Sequence, residues 1–326
     1  MQYITLGRTG LRVSIAGLGG GGNSRLGISA GKSEEEAVRL VLAAVDLGIN
    51  FFDTAEAYGT EKIIGRALAS VKRDTVVISS KSRILDRNQN LLTSAAIVAN
   101  LEKSLRHLSV ERVDVFHLHA VQPEHYGYVL RELAPSLLRQ KELGKIGYLG
   151  ITETPPRDPN QAMLTCALDD SCWDVVMLAF HMMNQRPRDT VFPRTMAQGI
   201  GTLLMFVVRN IFSRPEVLRE TMTKLADEGK IPRALAENPM PLDFLIHEGG
   251  ASSVTDAAYR FARHEPGADV ILFGTGDQNH LRANVTSLLK PPLPADDAAK
   301  LRTLFGHLSG IGLVFPDYMS ATTAIR

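Results

Sequence analysis

Four titratable side chains follow three neighbouring apolar runs of this sequence, at the points where those runs end. Asp53 and Tyr58 lie in "NFFDTAEAYG", Lys81 follows "VVISS", and His119 ends "DVFHLH". If the runs are parallel strands of a barrel, their carboxyl ends form one face and the four side chains converge on one mouth. A carboxylate, a phenol, an ammonium and an imidazole all exchange protons, so this convergence favours acid–base chemistry.

Each of these residues also has an ordinary structural explanation. Asp53 could cap the following turn, and Tyr58 could pack in a loop that ends at a glycine. Lys81 could be a solvated loop residue, and one of His117 and His119 could be a hydrogen-bonded core histidine. The functional hypothesis therefore rests on the four residues together, because a titratable side chain lies at or just after the end of an apolar run in all four cases.

Eight short apolar runs alternate with amphipathic segments along the chain. Runs rich in Val, Ile, Leu and Phe are typical of parallel strands covered on both faces. They span residues 14–19, 48–54, 75–80, 112–119, 145–152, 173–180, 200–206 and 268–274. This alternation favours a single-domain (β/α)₈ TIM barrel, with an open doubly wound sheet as the alternative. We expect a barrel core over about 14–290 and a C-terminal helix and tail over 291–326.

Helical periodicity marks the segments between the runs. It is found over residues 33–48, 93–109, 129–144, 214–229 and 276–290. Ser33 and Glu36 predict a capping box at the first of these helices, and Pro135 is expected to kink or shorten the third. Residues 231–267 break the alternation and are predicted to form a long loop with one or two extra helices, the clearest over 255–265.

The composition is that of an ordinary globular protein. The chain has 326 residues, 44% of them hydrophobic, and a formal net charge of +1, which gives no reason to expect nucleic acid or a membrane as partner. Its two cysteines, Cys166 and Cys172, are too few for a disulfide framework and do not have metal-site spacing. No signal peptide and no membrane-spanning run is recognised, which predicts a cytoplasmic protein.

The segment "AGLGGGG" contains the Gly-x-Gly-x-x-Gly spacing of a dinucleotide-binding fingerprint, at Gly17, Gly19 and Gly22. That fingerprint requires a helix that starts at its last glycines, whereas here helical periodicity begins only at Ser33. We interpret the glycines instead as a strand end where the backbone turns or where a ligand comes close. On this interpretation Gly20, in the middle of the run, is a candidate ligand contact.

Several longer segments, taken together, resemble the aldo-keto reductase family. They are "GINFFDTAEAYG", "EKIIGRAL", "VVISSKS", "SLRHLSVERVDVFHLH", "GKIGYLGIT" and "FGTGDQNHLRANVTSLL", in the family's order and over nearly residues 3–290. The resemblance implies a (β/α)₈ barrel that binds a nicotinamide cofactor without a Rossmann domain. It also implies a catalytic tetrad, which consists of Asp53, Tyr58, Lys81 and His119.

The roles implied by the resemblance agree with the chemistry of carbonyl reduction. The cofactor supplies hydride, and Tyr58 supplies the proton to the carbonyl oxygen. The Lys81 ammonium lowers the pKa of the Tyr58 phenol, and Asp53 keeps Lys81 charged and oriented. His119 hydrogen-bonds the substrate oxygen.

Other positions depart from the family's pattern. Thr152 and Glu153 replace a Ser-Asn pair that holds the nicotinamide carboxamide, and Ala179 replaces a glutamine with the same task. Met205 replaces an aromatic or long apolar side chain behind the nicotinamide ring, and it could equally be a core methionine.

At the adenosine end, the resemblance assigns the cofactor contacts to the segment after the eighth strand. Gly274, Thr275 and His280 stand where a lysine, a hydroxyl and an arginine usually hold the 2′-phosphate, and Asn284 matches a residue that contacts adenine. The N–H groups of "GTGD" at a helix start could bind a phosphate. Arg209 and Arg282 are further basic candidates.

These observations predict a metal-free oxidoreductase that interconverts a carbonyl (aldehyde, ketone or sugar) and its alcohol. NADP(H) is the expected cofactor and NAD(H) the alternative. Two other hypotheses are a dehydrogenase of sugars such as aldoses and a non-catalytic barrel that only binds a cofactor. Loops at 120–128, 207–215 and 231–254 and the tail after 291 are expected to shape the pocket, and the sequence does not indicate an oligomeric state.

Overall fold

The computed structural model describes residues 1–314, and their centre is a closed barrel of eight parallel strands. A short antiparallel hairpin, β1 Tyr3–Thr5 and β2 Arg12–Ser14, precedes it. The barrel strands are β3 Ala16–Gly19, β4 Phe51–Asp53, β5 Val77–Arg83, β6 Val113–His119, β7 Ile146–Thr152, β8 Val175–Ala179, β9 Gly201–Met205 and β10 Val270–Phe273. All eight predicted runs are strands, and pairing of β10 with β3 excludes the open sheet.

Helices surround the barrel, and the shorter ones were not predicted. They are α1 Glu34–Asp46, α2 Glu61–Leu68, α3 Ser94–Leu108, α4 Pro123–Tyr128, α5 Ala134–Glu142, α6 Ala162–Ala167, α7 Pro187–Thr190, α8 Phe192–Gln198, α9 Asn210–Ser213, α10 Pro215–Asp227, α11 Arg233–Glu237, α12 Val254–Arg263, α13 Gln278–Leu289 and α14 Ala295–Phe305. The predicted capping box of α1 is present, since Ser33 Oγ accepts from Glu36 N at 3.2 Å and the Glu36 carboxylate accepts from Ser33 N at 2.9 Å.

The helical run before β7 differs from its prediction. Residues 120–128 were expected to be a loop, but α4 begins at Pro123, which is favourable at the first turn of a helix. Residues Val129–Leu133 have π-type hydrogen bonding and join α4 to α5. Pro135 has no N–H to donate to the preceding turn, so it changes the hydrogen-bond pattern there without ending the helix.

Two apolar layers hold the barrel together. The larger lies between strands and helices, and the smaller fills the interior of the barrel. The interior layer takes one or two buried residues from each of six barrel strands, such as Phe51, Val77 and Val115, and is closed at the amino-terminal end by Leu6 and Val13 from the hairpin segment. Because side chains alternate along a strand, the residues two and four positions beyond these also face inward, toward the carboxyl-terminal mouth.

Residues 231–267 and the C-terminal region carry extra helices, as expected. The long segment contains α11, a single 3₁₀ turn over Asp243–Leu245, and α12. The predicted C-terminal helix is α14, and the part of the predicted tail beyond residue 314 lies outside the described residues. Across residues 1–314, no helix is long and apolar enough to cross a membrane, and no three His, Cys, Asp or Glu side chains are grouped as metal ligands would be.

Gly65 allows α2 to pack directly on the end of α3. A Cβ atom at this position would lie 2.6 Å from the carbonyl oxygen of Leu108, which is backbone and cannot rotate away. We expect Gly65→Ala to lower the free energy of unfolding by about 1–3 kcal/mol, as overpacking does elsewhere. Denaturant unfolding measures this.

Gly127→Ala in α4 is the matched control, because its Cβ would meet only the flexible end of Arg131 at 3.2 Å. Alanine favours a helix over glycine, so this change should be neutral or stabilising. Equal destabilisation by both substitutions would contradict the packing argument.

Candidate active site

A buried ion pair lies at the mouth of the barrel, between β4 and β5. Lys81 Nζ donates to Asp53 Oδ1 at 2.8 Å, to Asp53 Oδ2 at 2.6 Å and to the carbonyl oxygen of Thr54 at 2.8 Å. The Ser79 hydroxyl donates to Asp53 Oδ1 at 2.9 Å. Each hydrogen of the ammonium therefore has an acceptor, although the lysine side chain is fully buried.

Burial shifts the pKa values of the two partners in opposite directions. It lowers the pKa of Lys81 and raises the pKa of Asp53, and the attraction between the two charges opposes both shifts. Removing either partner would leave an uncompensated charge in the barrel, which is strongly destabilising. The pair is therefore a unit in which each member keeps the other ionised.

Tyr58 and His119 lie next to this pair. The Tyr58 hydroxyl is 3.3 Å from His119 Nε2, and the two rings meet edge to face with centroids 5.6 Å apart. Lys81 Nζ lies 5.0 Å from the centroid of the tyrosine ring. Burial lowers the pKa of His119 well below its usual value, and the charges of Lys81 and Arg83 lower it further, so the imidazole is neutral at neutral pH. The structure thus brings together all four side chains predicted for the tetrad.

The glycine run after β3 makes room for the tyrosine. A Cβ atom at Gly21 would lie 2.5 Å from the ring of Tyr58, so only glycine lets this ring rest on the loop backbone. Arg25 Nε donates to the carbonyl oxygen of Tyr58 at 2.8 Å and fixes the tyrosine loop from the same side. Gly20 does not lie on the cavity wall, because its Cα faces Thr60 Oγ1; Gly21 and Gly22 line the cavity instead.

A second histidine lies deeper in the barrel. His117 is fully buried, and within the described part of the chain neither ring nitrogen has a hydrogen-bond partner. Its ring occupies the space beside Gly150, where a Cβ atom would lie 2.2 Å from Nδ1. His117 is therefore the core histidine, although a partnered ring was expected, and His119 is the one that reaches Tyr58.

A cavity of about 800 Å³ extends from the tetrad across the mouth of the barrel. Apolar side chains line the end near Tyr58, and polar side chains line the other end. The apolar group consists of Met177, Met205 and Phe206, and the predicted contacts at the far end are Gly274, Thr275, His280 and Asn284. Arg209 is also on the wall, with its guanidinium 4.3 Å from the centroid of the Phe206 ring. Arg282 is not on the wall.

Thr152 and Glu153 are engaged with the protein rather than exposed to this cavity. Thr152 Oγ1 accepts from Ala120 N at 2.7 Å, and Glu153 Oε1 accepts from Ala179 N at 2.7 Å. Ala179 has only a methyl group, so the longer glutamate reaches across to its amide. Burial, together with the charge of Asp158, raises the pKa of Glu153 to about 8. Neither residue lies on the cavity wall, where contacts to a carboxamide were predicted.

The start of α13 is capped by the chain itself. Asp277 Oδ1 accepts from Asn279 N at 2.8 Å and from His280 N at 3.0 Å. Thr275 Oγ1 accepts from Asp277 N at 3.0 Å. The N–H groups of Asp277, Asn279 and His280 are therefore bonded within the chain. For Gly274, Thr275 and Gly276, phosphate binding by the backbone stays a prediction.

Sequence reasoning missed a polar cluster at the far end of the cavity. Lys290 Nζ donates to Asp256 Oδ2 and to Ser252 Oγ, both at 3.0 Å, and all three residues line the wall. They come from the start of α12 and the end of α13, which pack against each other. No local spacing in the sequence links these positions, so only the packing of the two helices reveals them.

A sequence model of the Aldo/keto reductase family matches residues 17–305. The chain belongs to the aldo/keto reductase family. It is 25% identical to the aldo-keto reductase YhdN of Bacillus subtilis (strain 168), over 99% of each chain. It is 33% identical to the L-galactose dehydrogenase of Arabidopsis thaliana, over 62% of this chain and 64% of that enzyme. The fold matches an aldo-keto reductase structure from Bacillus halodurans with a TM-score of 0.70, at 20% identity and over 94% and 96% of the two chains.

Membership of this family makes the protein an oxidoreductase that uses NAD(P)H to interconvert a small carbonyl compound and its alcohol. The hypothesis of a barrel that only binds a cofactor is therefore dropped. The match covers all eight barrel strands except the first residue of β3, so it includes every strand end that supplies the tetrad of this aldo/keto reductase.

Glu153 makes the stability of this aldo/keto reductase depend on pH. Its pKa is raised from 4.5 to about 8, so the folded protein holds a proton that the unfolded chain releases above about pH 4.5. This contribution is fully present below pH 4.5 and is lost progressively as pH rises to about 8. Glu153→Gln cannot ionise at this position. We therefore expect its free energy of unfolding to decline less over this pH range than that of the wild type, with a total difference of a few kcal/mol. Denaturant titrations at several pH values measure it.

The control is Glu111→Gln, which changes an exposed carboxylate. Its unfolding free energy should follow that of the wild type at every pH. If the Glu153→Gln and wild-type curves ran parallel, the buried carboxyl would not be the protonated group.

Proposed function

We propose that Tyr58 is the general acid of this reductase and that Lys81, Asp53 and His119 assist it. The observation that carries this proposal is the position of the Tyr58 hydroxyl, which lies 3.3 Å from His119 Nε2 while the Lys81 ammonium lies 5.0 Å from the ring. A tyrosine that gives up its proton becomes a phenolate, and a nearby cation stabilises that charge.

Each of the other three residues has a separate task. Asp53 and the Thr54 carbonyl hold the Lys81 ammonium in place, so that its charge is available without rearrangement. His119 is neutral and can share a hydrogen bond with the substrate oxygen and the tyrosine hydroxyl. Arg25 and Gly21 orient the tyrosine and are positioning residues only.

Tyr58→Phe removes one hydroxyl and no packing atoms of the ring. We expect the variant to fold and to bind cofactor as the wild type does, while kcat falls by about 10²–10⁴, the usual contribution of a general acid. Steady-state turnover with an aldehyde, alongside cofactor titration by fluorescence, measures both properties.

Tyr3→Phe removes a phenol hydroxyl from the N-terminal hairpin, where it bonds the Gly48 carbonyl, and serves as the control. Near-normal turnover of Tyr58→Phe would refute the assignment of the acid.

NADP(H) is the cofactor we propose, held along the 800 Å³ cavity. The cavity suits such a group, because apolar Met177, Met205 and Phe206 could face a flat ring near Tyr58 and polar Thr275, His280 and Asn284 could face the adenosine end. A side chain at Gly274 would narrow the cavity, with a Cβ atom 3.3 Å from Gly21 O and Ser24 Oγ. When bound, the cofactor supplies the hydride. Metal-free catalysis and a cytoplasmic location stay predictions.

A second candidate is the oxidation of a sugar at the same site. It is favoured by the 33% identity to L-galactose dehydrogenase, which extends over 62% of this chain. The same tetrad serves both directions, because Tyr58 would accept a proton from the alcohol where it otherwise donates one. Oxidation of aldoses with NADP⁺ or NAD⁺ tests this candidate directly.

The preference for NADP(H) should be modest, since histidine replaces the usual arginine at position 280. We expect NADPH to have a lower Kd than NADH, by a smaller factor than an arginine at this position would give. His280→Arg should enlarge the difference, because a guanidinium binds phosphate bidentately. Fluorescence titrations of both cofactors measure it, and tighter NADH than NADPH binding by the wild type would show that the 2′-phosphate site is lost.

A further inference from the structure

Arg83 extends the inward-facing row of β5 by one position beyond the catalytic lysine. Val77 packs in the barrel interior, and Ser79 and Lys81 both bond Asp53 there, so alternate residues of this strand face the axis. Arg83 is the next residue in that row, and in the pairing of β5 with β6 it lies opposite His119. Its exposed side chain therefore starts at the rim of the mouth, one strand from the histidine that contacts Tyr58.

The charge of Arg83 is not neutralised by a partner in the described residues. No ion pair or hydrogen bond involves its guanidinium within residues 1–314. The carboxylate that comes near is that of Glu56, which accepts from the backbone N–H of Arg83 at 3.4 Å. On the other side of Tyr58, Arg25 adds a second guanidinium, bound to the Tyr58 carbonyl oxygen.

More cations than carboxylates therefore lie at the mouth, beside the reacting position. Asp53 and Lys81 cancel each other, and His119 is neutral because burial and neighbouring cations, Arg83 among them, lower its pKa. Arg83 and Arg25 remain at the mouth together with Glu56. Glu61, whose charge also acts on Lys81, lies behind β5, where it accepts from Ser80 Oγ and pairs with His107. A neutral aldehyde or sugar would gain no attraction from these cations, whereas an anionic group next to the carbonyl would be attracted to them.

We propose that the substrate is a carbonyl compound that carries an oxyanion, a carboxylate or a phosphate ester, and that Arg83 binds this oxyanion. The proposal rests on the proposed function, because the substrate oxygen is taken to lie at Tyr58 and His119. A guanidinium binds either oxyanion through two parallel N–H···O bonds. Arg83 would thus act as a specificity-determining residue, outside the tetrad.

Matched pairs of aldehydes test the preference. In one arm 4-carboxybenzaldehyde is compared with 4-carbamoylbenzaldehyde, which has the same shape and no charge; in the other, glyceraldehyde 3-phosphate is compared with glyceraldehyde. We expect wild type to favour the charged member in kcat/KM by about tenfold in at least one arm, mainly through KM. The arm that shows the preference identifies the oxyanion, and the preference should weaken as ionic strength rises.

Arg83→Gln should lower the ratio of charged to neutral kcat/KM by about tenfold. Arg106→Gln is the control, because it removes the same charge from the last turn of α3, at the opposite end of the barrel, and should leave the ratio as it is. An unchanged ratio in Arg83→Gln, or no preference in wild type, would overturn the proposal.

A binding experiment separates this inference from the proposed function. If none of the aldehydes is reduced, the proposed function fails, and the shift in melting temperature caused by 4-carboxybenzaldehyde and by glyceraldehyde 3-phosphate still tests Arg83. A shift with either compound that is larger for wild type than for Arg83→Gln supports the oxyanion site. Equal shifts for both proteins would overturn it.

Discussion

Moving an ammonium group from water into a protein interior costs free energy. The barrel offsets this cost at Lys81 by supplying an acceptor for each of its hydrogens. Those acceptors come from β4 and from the residue that follows it, so β4 and β5 must be neighbours in register. The observed pairing places Asp53 opposite Ser79, whose hydroxyl also bonds the carboxylate. The ion pair thus depends on the closed parallel sheet, and the position of Tyr58 depends on the ion pair.

Close backbone approach is the second constraint on the site. Gly21 lets the ring of Tyr58 lie against the first loop, and Gly150 lets the buried His117 ring fit inside the barrel. A larger residue at Gly21 would displace the tyrosine, while one at Gly150 would displace a core side chain below it. Glycines with different local conformations therefore serve the same purpose, which is to let an aromatic or imidazole ring take the volume of the missing side chain.

The electrostatic character of the mouth follows from the same geometry. Burial keeps His119 neutral and makes Glu153 a weak acid, while Lys81 is compensated by Asp53. The guanidinium of Arg83, which has no ion-pair partner among the described residues, then lies at the rim. A cavity that is apolar near the tetrad and polar near α13 is consistent with a ligand that has a flat ring at one end and a polar group at the other.

Local pattern was enough to predict the barrel and the tetrad. Parallel strands covered on both faces have nearly continuous apolar sequences, so all eight could be found, and the carboxyl ends of β4, β5 and β6 led to Asp53, Lys81 and His119. Short helices such as α2, α4 and α6 have too few turns to show periodicity, and the N-terminal hairpin has only three residues per strand.

The direction and partners of individual side chains required the tertiary structure. Glu153 bonds the amide of Ala179 on the next strand, and Gly21 rather than Gly20 faces the cavity. Asp277 caps α13 with its own carboxylate, and Lys290 reaches the cavity because α12 packs on α13. The family resemblance, for its part, supplied the tetrad roles and the adenosine end, which periodicity does not encode. Periodicity in a sequence reports which face of an element is buried, whereas the atoms that meet at a strand end are set by loops distant in the chain, and only folding brings those loops together.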